Sequence, residues 1–200
     1  MIRNLVFDIG GVLLGYRWED ILRRSGLSRE EGLHVAGLIF ADPLWYELDA
    51  GNITLADVRR LYPEKYPAYA HPISFILERP DEMPIPREKV WSYLKPLKEK
   101  GYGIYVLSNY GAELFTMHTK DAPFWKDVDG SVISYEVHAC KPDREIYLAL
   151  LEKYDLKAGE CIFFDDRKSN VDGAVAVGMQ GAVIGSEEEL TGYLEKYLCD

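Results

Sequence analysis

VFDIGGVL, residues 6–13, runs as an apolar strand and then sets an acid and two glycines where the strand would continue. An Asp followed by glycines is the makeup of a tight turn, because glycine adopts the positive φ that turns need and Asp caps the helix that follows. It is equally the makeup of a carboxylate held at a strand end with bare backbone beside it. The rest of the chain decides between the two.

Residues 2–8 (IRNLVFD) are the predicted first strand. From about residue 16 to 85 only helical patterns occur, with Ser28 and Thr54 at N-cap positions and prolines between segments. At Pro86 the text changes. PREKVWSYLKPLKEKG (86–101) predicts a helix with proline near its start and Gly101 past its end, and IYVLSN (104–109) predicts a strand. Further strands are expected at SVISYE (131–136), ECIFFDD (160–166) and GAVIG (181–185), with helices beginning near Asp143, Lys168 and Ser186. Such alternation predicts an α/β protein with a doubly wound, Rossmann-like parallel sheet. The core domain is expected over residues 1–15 and 86–200, with a small all-helical cap domain, residues 16–85, inserted after the first strand.

Composition narrows the function. The chain has 200 residues, 48% of them hydrophobic, enough for one full core and a smaller insert. Acidic residues outnumber basic ones 33 to 23, a net charge of −10, the wrong sign for a nucleic-acid or anionic-membrane partner. Cysteines 140, 161 and 199 form no CxxC pair, and their odd number argues against a disulfide framework, so a reducing, cytoplasmic location is expected. No long apolar segment follows Met1, so neither an export signal nor a membrane span is expected.

Polar residues recur where the predicted strands end: Asp8, then Ser108 and Asn109, then Lys141, then Asp165 and Asp166. In open parallel sheets ligands bind beyond the carboxyl ends of the strands, so these clusters should converge. Asp8 with Asp166 offers an all-oxygen site for a hard cation, and magnesium is the usual choice beside phosphate. The adjacent acids at 165 and 166 would repel one another without a cation. Lys141 and Ser108 add a positive charge and a hydroxyl. The set describes a phosphoryl group held by metal, lysine and hydroxyl, with Asp8 placed to attack it.

At this point the chain resembles the haloacid dehalogenase-like (HAD) hydrolases, mostly phosphatases. FDIGGVL is similar to the family's first motif, LSN (107–109) to its second, Lys141 in CKPD to its third, and FFDDRKSN (163–170) to its fourth. Within the family the chain looks most like the bacterial α-D-glucose-1-phosphate phosphatase subgroup. The resemblance implies that Asp8 is the nucleophile and forms an aspartyl-phosphate. It implies magnesium bound by Asp8, Asp166 and the Gly10 backbone carbonyl, and phosphate held by Ser108, the Asn109 backbone and Lys141. Asp165 and Asn170 stand behind these, and the cap selects the substrate, a small phosphorylated metabolite such as a hexose 1-phosphate. In the cap, Trp45 and Glu47 are candidate sugar-facing groups. Histidines 34, 71, 118 and 138 have no metal-like spacing and receive no role, and Cys140 reads as a structural thiol. A monomer or small homo-oligomer is expected.

The chain departs from the family pattern at one position. Most family phosphatases carry a second Asp two residues after the nucleophile as the general acid, and here that residue is Gly10. The expectation is a preference for esters with good leaving groups and a slow, burst-revealing second step, unless Glu47 or a water supplies the proton. Two alternatives carry different chemistry: a 2-haloacid dehalogenase, whose Asp attacks carbon without a metal and against which the 165/166 pair argues, and a non-catalytic binding relative.

Overall fold

A computed structural model describes residues 1–199. The chain opens with β1 (Asn4–Phe7) and β2 (Leu14–Tyr16), then passes through five helices: α1 (Trp18–Arg24), α2 (Arg29–Phe40), α3 (Pro43–Asp49), α4 (Leu55–Lys65) and α5 (Ala70–Leu77). It returns through β3 (Pro84–Pro86), α6 (Glu88–Glu99), β4 (Gly103–Ser108), α7 (Ala112–Thr119), β5 (Gly130–Ile133) and α8 (Ser134–Val137). It ends with α9 (Arg144–Lys153), β6 (Cys161–Asp165), α10 (Lys168–Ala176), β7 (Gln180–Val183) and α11 (Glu187–Cys199).

Five strands form one parallel sheet in the order β5-β4-β1-β6-β7. The chain starts in the middle and builds outward to both sides, so the order reverses at β1. This is the doubly wound arrangement the sequence predicts, and its crevice lies where β1, β4 and β6 end. β1 and β6 are apolar because both sheet faces are covered: Leu5, Val6, Phe7, Phe163 and Phe164 have no exposed surface. Among the described residues no helix is long and apolar enough to cross a membrane.

Two predicted elements differ. The segment 16–85 is not helical throughout, since Leu14–Tyr16 pairs antiparallel with Pro84–Pro86 and closes the base of the helical insertion. Prolines at both ends of β3 hid this strand, yet an edge strand tolerates them because it need not donate from every residue. The strand predicted at 131–136 stops at Ile133, and Ser134–Val137 turns as a helix. The turn is held by the buried Ser134 hydroxyl, which accepts from Tyr110 N at 2.8 Å and donates to Asp49 O at 2.5 Å.

The expected N-caps are in place. Ser28 and Thr54 each form a capping box, with Glu31 and Asp57 respectively reaching back to the cap residue's own N–H. One apolar cluster runs without a break from the sheet (Leu5, Phe7, Ile104) into the insertion (Ile21, Val35, Ile39, Leu48, Val58, Tyr62), so burial holds the two parts together.

Helix α3 has only seven residues and is held by its N-terminus. Asp42, 8% exposed, accepts from Leu44 N at 2.8 Å, from Lys65 Nζ at 2.6 Å and from the Tyr66 hydroxyl, and Pro43 follows at the first helical position. Burial alone would push the Asp42 carboxyl up, but these donors outweigh it and hold the group below the usual carboxylate range. A carboxyl depressed in the folded state adds stability above its unfolded value and loses it as pH falls through the folded one. Asp42→Ala is therefore expected to cost about 1–2 kcal/mol at neutral pH. In thermal melts the gap to the wild type should narrow below about pH 4, the unfolded carboxylate range. A gap that stays constant into acid would show that the charge of Asp42 contributes nothing.

Candidate active site

The ends of β1, β4 and β6 bring the predicted residues together around one buried ammonium. Lys141 Nζ lies 2.8 Å from Asp8 Oδ1 and 2.7 Å from Asp165 Oδ2, and it donates to Leu107 O at 3.0 Å. Its side chain is 1% exposed. Burial works against the charged form of Lys141, but the two carboxylates outweigh it and keep the amine protonated.

Asp8 is oriented by this arrangement. Its Oδ1 accepts from Ile9 N at 2.7 Å, from the Ser108 hydroxyl at 2.7 Å and from Lys141. Three donors saturate Oδ1 and leave Oδ2 for the pocket. Burial pushes the Asp8 carboxyl up, with Lys141 opposing and Asp165 adding to the rise.

Behind Asp8 the supports are complete. Asp165 has no exposed surface, and it takes Asn170 Nδ2 at 3.0 Å on each oxygen and Arg167 N at 2.8 Å on Oδ1. Asn109 turns its amide away from the pocket to clasp the Lys141 backbone, accepting from Lys141 N at 2.8 Å and donating to Lys141 O at 2.9 Å. The side chain of Asn109 thus positions the lysine, and only its backbone is left for a phosphate.

The donor set fits a hard cation. Carboxylate oxygens of Asp8, Asp165 and Asp166 lie within 4.8 Å of one another, and all are oxygen ligands. When all three are ionised, one buried ammonium leaves two negative charges uncompensated. Burial and the Asp165 charge both push the Asp166 carboxyl up. Asp165 is already committed to Lys141 and Asn170, whereas Asp166 is exposed at the pocket floor. Gly11 makes room for it: with φ +71°, a Cβ at this position would fall 2.6 Å from Asp166 Cγ.

These residues floor a cavity of about 480 Å³. Its far wall is built from the insertion and includes Trp18, Ile39, Phe40, Trp45, Leu77 and Met83. Trp45 packs edge-on against Phe40 with ring centres 4.9 Å apart. Glu47 does not line the cavity. It accepts from Asn52 Nδ2 at 2.7 Å, because position 47 lies off the helix face that carries 45 and 49.

Among the lining residues missed by sequence reasoning are Asp49, Tyr16, Tyr110 and His118. Asp49 could have been found, since it follows Trp45 by four residues on one predicted helix. The other three gave no signal. Tyr110 Oη bonds both Tyr16 Oη and, at 2.9 Å, His118 Nδ1, and His118 Nε2 lies 2.8 Å from Pro80 O. Burial pushes the His118 ring down, towards neutrality. Cys140 is buried and its thiol pushed up to about 12, which leaves it inert, as expected.

The chain is similar to phosphatases and to solved enzymes of the same fold. A sesquiterpene phosphatase of Aspergillus oryzae is 29% identical over 176 residues, 88% of this chain and 86% of its own. A phosphatase of Mycobacterium tuberculosis is 27% identical over 206 residues, 92% of this chain and 87% of its own. In fold the chain is similar to a HAD family enzyme of Bacteroides thetaiotaomicron solved with magnesium and inorganic phosphate, with a TM-score of 0.70, 24% identity, and coverage of 92% of this chain and 94% of that one. A family model matches residues 2–178, and the chain therefore belongs to the haloacid dehalogenase-like hydrolases.

Proposed function

We propose that this hydrolase is a magnesium-dependent phosphatase that works through an aspartyl-phosphate on Asp8. The observation that carries the reading is the convergence of Ile9 N, Ser108 and Lys141 on Asp8 Oδ1, which leaves Oδ2 as the uncommitted oxygen of Asp8. The phosphatase names of the two relatives support it. Asp8, Asp166 and the Gly10 carbonyl would hold magnesium, which when bound supplies positive charge to the phosphoryl oxygens. Lys141 opposes the burial that pushes the Asp8 carboxyl up and meets the negative charge of the incoming phosphoryl group. The Asn109 backbone N–H supplies a hydrogen-bond donor to its oxygens, and the Ser108 hydroxyl, given to Asp8 Oδ1 in this structure, supplies a second by turning from the carboxylate to the phosphoryl group.

Residues 16–85 act as the cap, and their pocket wall bears on the alcohol half of the substrate. Apart from Tyr16 and Asp49 that wall is aromatic and aliphatic, and the Tyr16 hydroxyl is already bonded to Tyr110, which with its partner His118 comes from the sheet side. This favours a phosphate ester of a largely apolar alcohol, in keeping with the sesquiterpene phosphatase among the relatives. The hexose 1-phosphate reading, and with it the glucose-1-phosphate phosphatase subgroup, is the second one. It rests on Trp45, whose ring faces the pocket where a sugar could stack.

A panel of phosphate esters, assayed with magnesium and with EDTA, tests both readings. Turnover with magnesium and loss in EDTA are expected, with prenyl or aryl esters ahead of hexose phosphates; the reverse ranking selects the sugar reading, and halide release from 2-haloacids without metal selects a dehalogenase. Asp8→Asn should lower kcat by at least about a thousandfold while leaving the melting temperature close to that of the wild type, because the nucleophile is lost and the shape kept. Activity near the wild-type level would show that Asp8 is not the nucleophile. Gly11→Ala should raise the magnesium concentration for half-maximal activity, because the new methyl displaces Asp166, and the positive φ adds about 1–2 kcal/mol of strain. An unchanged magnesium titration would place the metal away from Asp166.

A further inference from the structure

Position 10 has no acid, and the structure shows what occupies that space. A Cβ on Gly10 would lie 3.0 Å from Tyr16 Cε2 and 3.3 Å from its hydroxyl oxygen. The Tyr16 ring stands where an acidic side chain at position 10 would reach, and its hydroxyl is engaged with Tyr110 and, through it, His118. Burial pushes both phenols above their ordinary range. Among the described residues, three carboxyls line the cavity. Asp8 and Asp166 belong to the attack and the metal, and Asp49 is the third.

Asp49 is fastened to the catalytic floor although it comes from the cap. Its carbonyl accepts from Ser134 Oγ at 2.5 Å, and the next carbonyl, Ala50 O, lies 2.9 Å from His138 Nδ1. The loop after β4 comes so close that a Cβ on Gly111 would fall 2.9 Å from Leu48 Cγ and 3.0 Å from Leu48 O. The end of α3 is thereby pinned to Gly111, in the loop that follows Ser108, and to Ser134 and His138. We propose that Asp49 is the proton-transfer residue of this pocket, standing in from the cap for the acid missing at position 10. The inference rests on the phosphatase reading.

The two half-reactions balance through it. In the first, Asp8 Oδ2 forms the new bond to phosphorus, the bond from phosphorus to the alcohol oxygen breaks with its electron pair on that oxygen, and the oxygen takes the proton of Asp49. In the second, water attacks phosphorus and yields its proton to Asp49, the phosphorus–Oδ2 bond breaks, and the Asp8 carboxylate and inorganic phosphate are released. Burial pushes the Asp49 carboxyl up to about 7, with Arg167 and the Gly111 backbone opposing, so both protonation states are populated near neutrality.

The test compares wild type and Asp49→Asn, with magnesium, on dinitrophenyl phosphate, whose leaving group needs no proton, and on an alkyl phosphate, whose leaving group does. Wild type should turn over both without a burst. Asp49→Asn should release a burst of dinitrophenolate approaching one per active site and then slow by about 100-fold or more, because only the second step lacks its base. On the alkyl ester the same variant should show no burst and a kcat lower by about 100- to 10,000-fold. Asp49→Gly, which leaves space for a small acid, should regain alkyl phosphatase activity as formate is added. Equal losses on both esters with no burst, or no rescue by formate, would make Asp49 a structural residue and overturn the assignment. Selective loss of alkyl phosphate cleavage in Tyr16→Phe, with Asp49→Asn unaffected, would transfer the role to the phenol chain. A wild type inactive on every ester would instead sink the phosphatase reading itself.

Discussion

Lys141 is the group on which the site depends. One buried ammonium joins the end of β1 through Asp8, the end of β4 through Leu107 O, and the end of β6 through Asp165. A buried ion pair gives little net stability, because desolvating the charges offsets their attraction; losing Asp8 leaves Lys141 still paired with Asp165, but losing Lys141 would leave unpaired buried charge at a cost of about 3–5 kcal/mol. The arrangement is therefore better understood as a device for orientation. It commits Asp8 Oδ1 and frees Oδ2, and it compensates only one of the negative charges that Asp8, Asp165 and Asp166 carry when ionised.

The second constraint is the join between the helical insertion and the sheet. Because one apolar cluster crosses it, the insertion has no separate core to fold around. Polar contacts cross the join at Tyr16 and Pro80 as well as at the end of α3, where glycines 51 and 111 permit the close approach; a Cβ on Gly51 would meet Tyr135 O at 3.0 Å. Asp42 sets the other end of the same short helix. A seven-residue helix is marginal alone, so its direction is decided by what holds its two ends.

The cavity consequently has two unlike halves. The floor is polar and charged, supplied by the sheet, and suits a phosphoryl group. The wall, supplied by the insertion, is aromatic and aliphatic apart from Tyr16 and Asp49, and Tyr16 is bonded to Tyr110 and through it to His118 from the sheet side.

Much of this was legible in the chain. Strand-ending Asp8, Ser108, Lys141, Asp165 and Asp166 announce a shared crevice because parallel strands all end on one side, and alternation of strand and helix requires parallel strands. The N-caps at Ser28 and Thr54 are local and were read correctly for that reason. The β2–β3 pair was not legible, since its partners are some 70 residues apart and rich in proline. Nor was the direction of cap side chains: Trp45 faces the cavity and Glu47 does not, and periodicity on a helix fixes relative faces without saying which face is inward. By itself, then, the sequence determined the sheet, the order of its strands' chemistry and the vacancy at position 10. Only the tertiary structure decided that Tyr16 fills that space and that Asp49 joins the floor, because the bond from Ser134 to Asp49 spans 85 residues and exists only once the sheet and the insertion have packed.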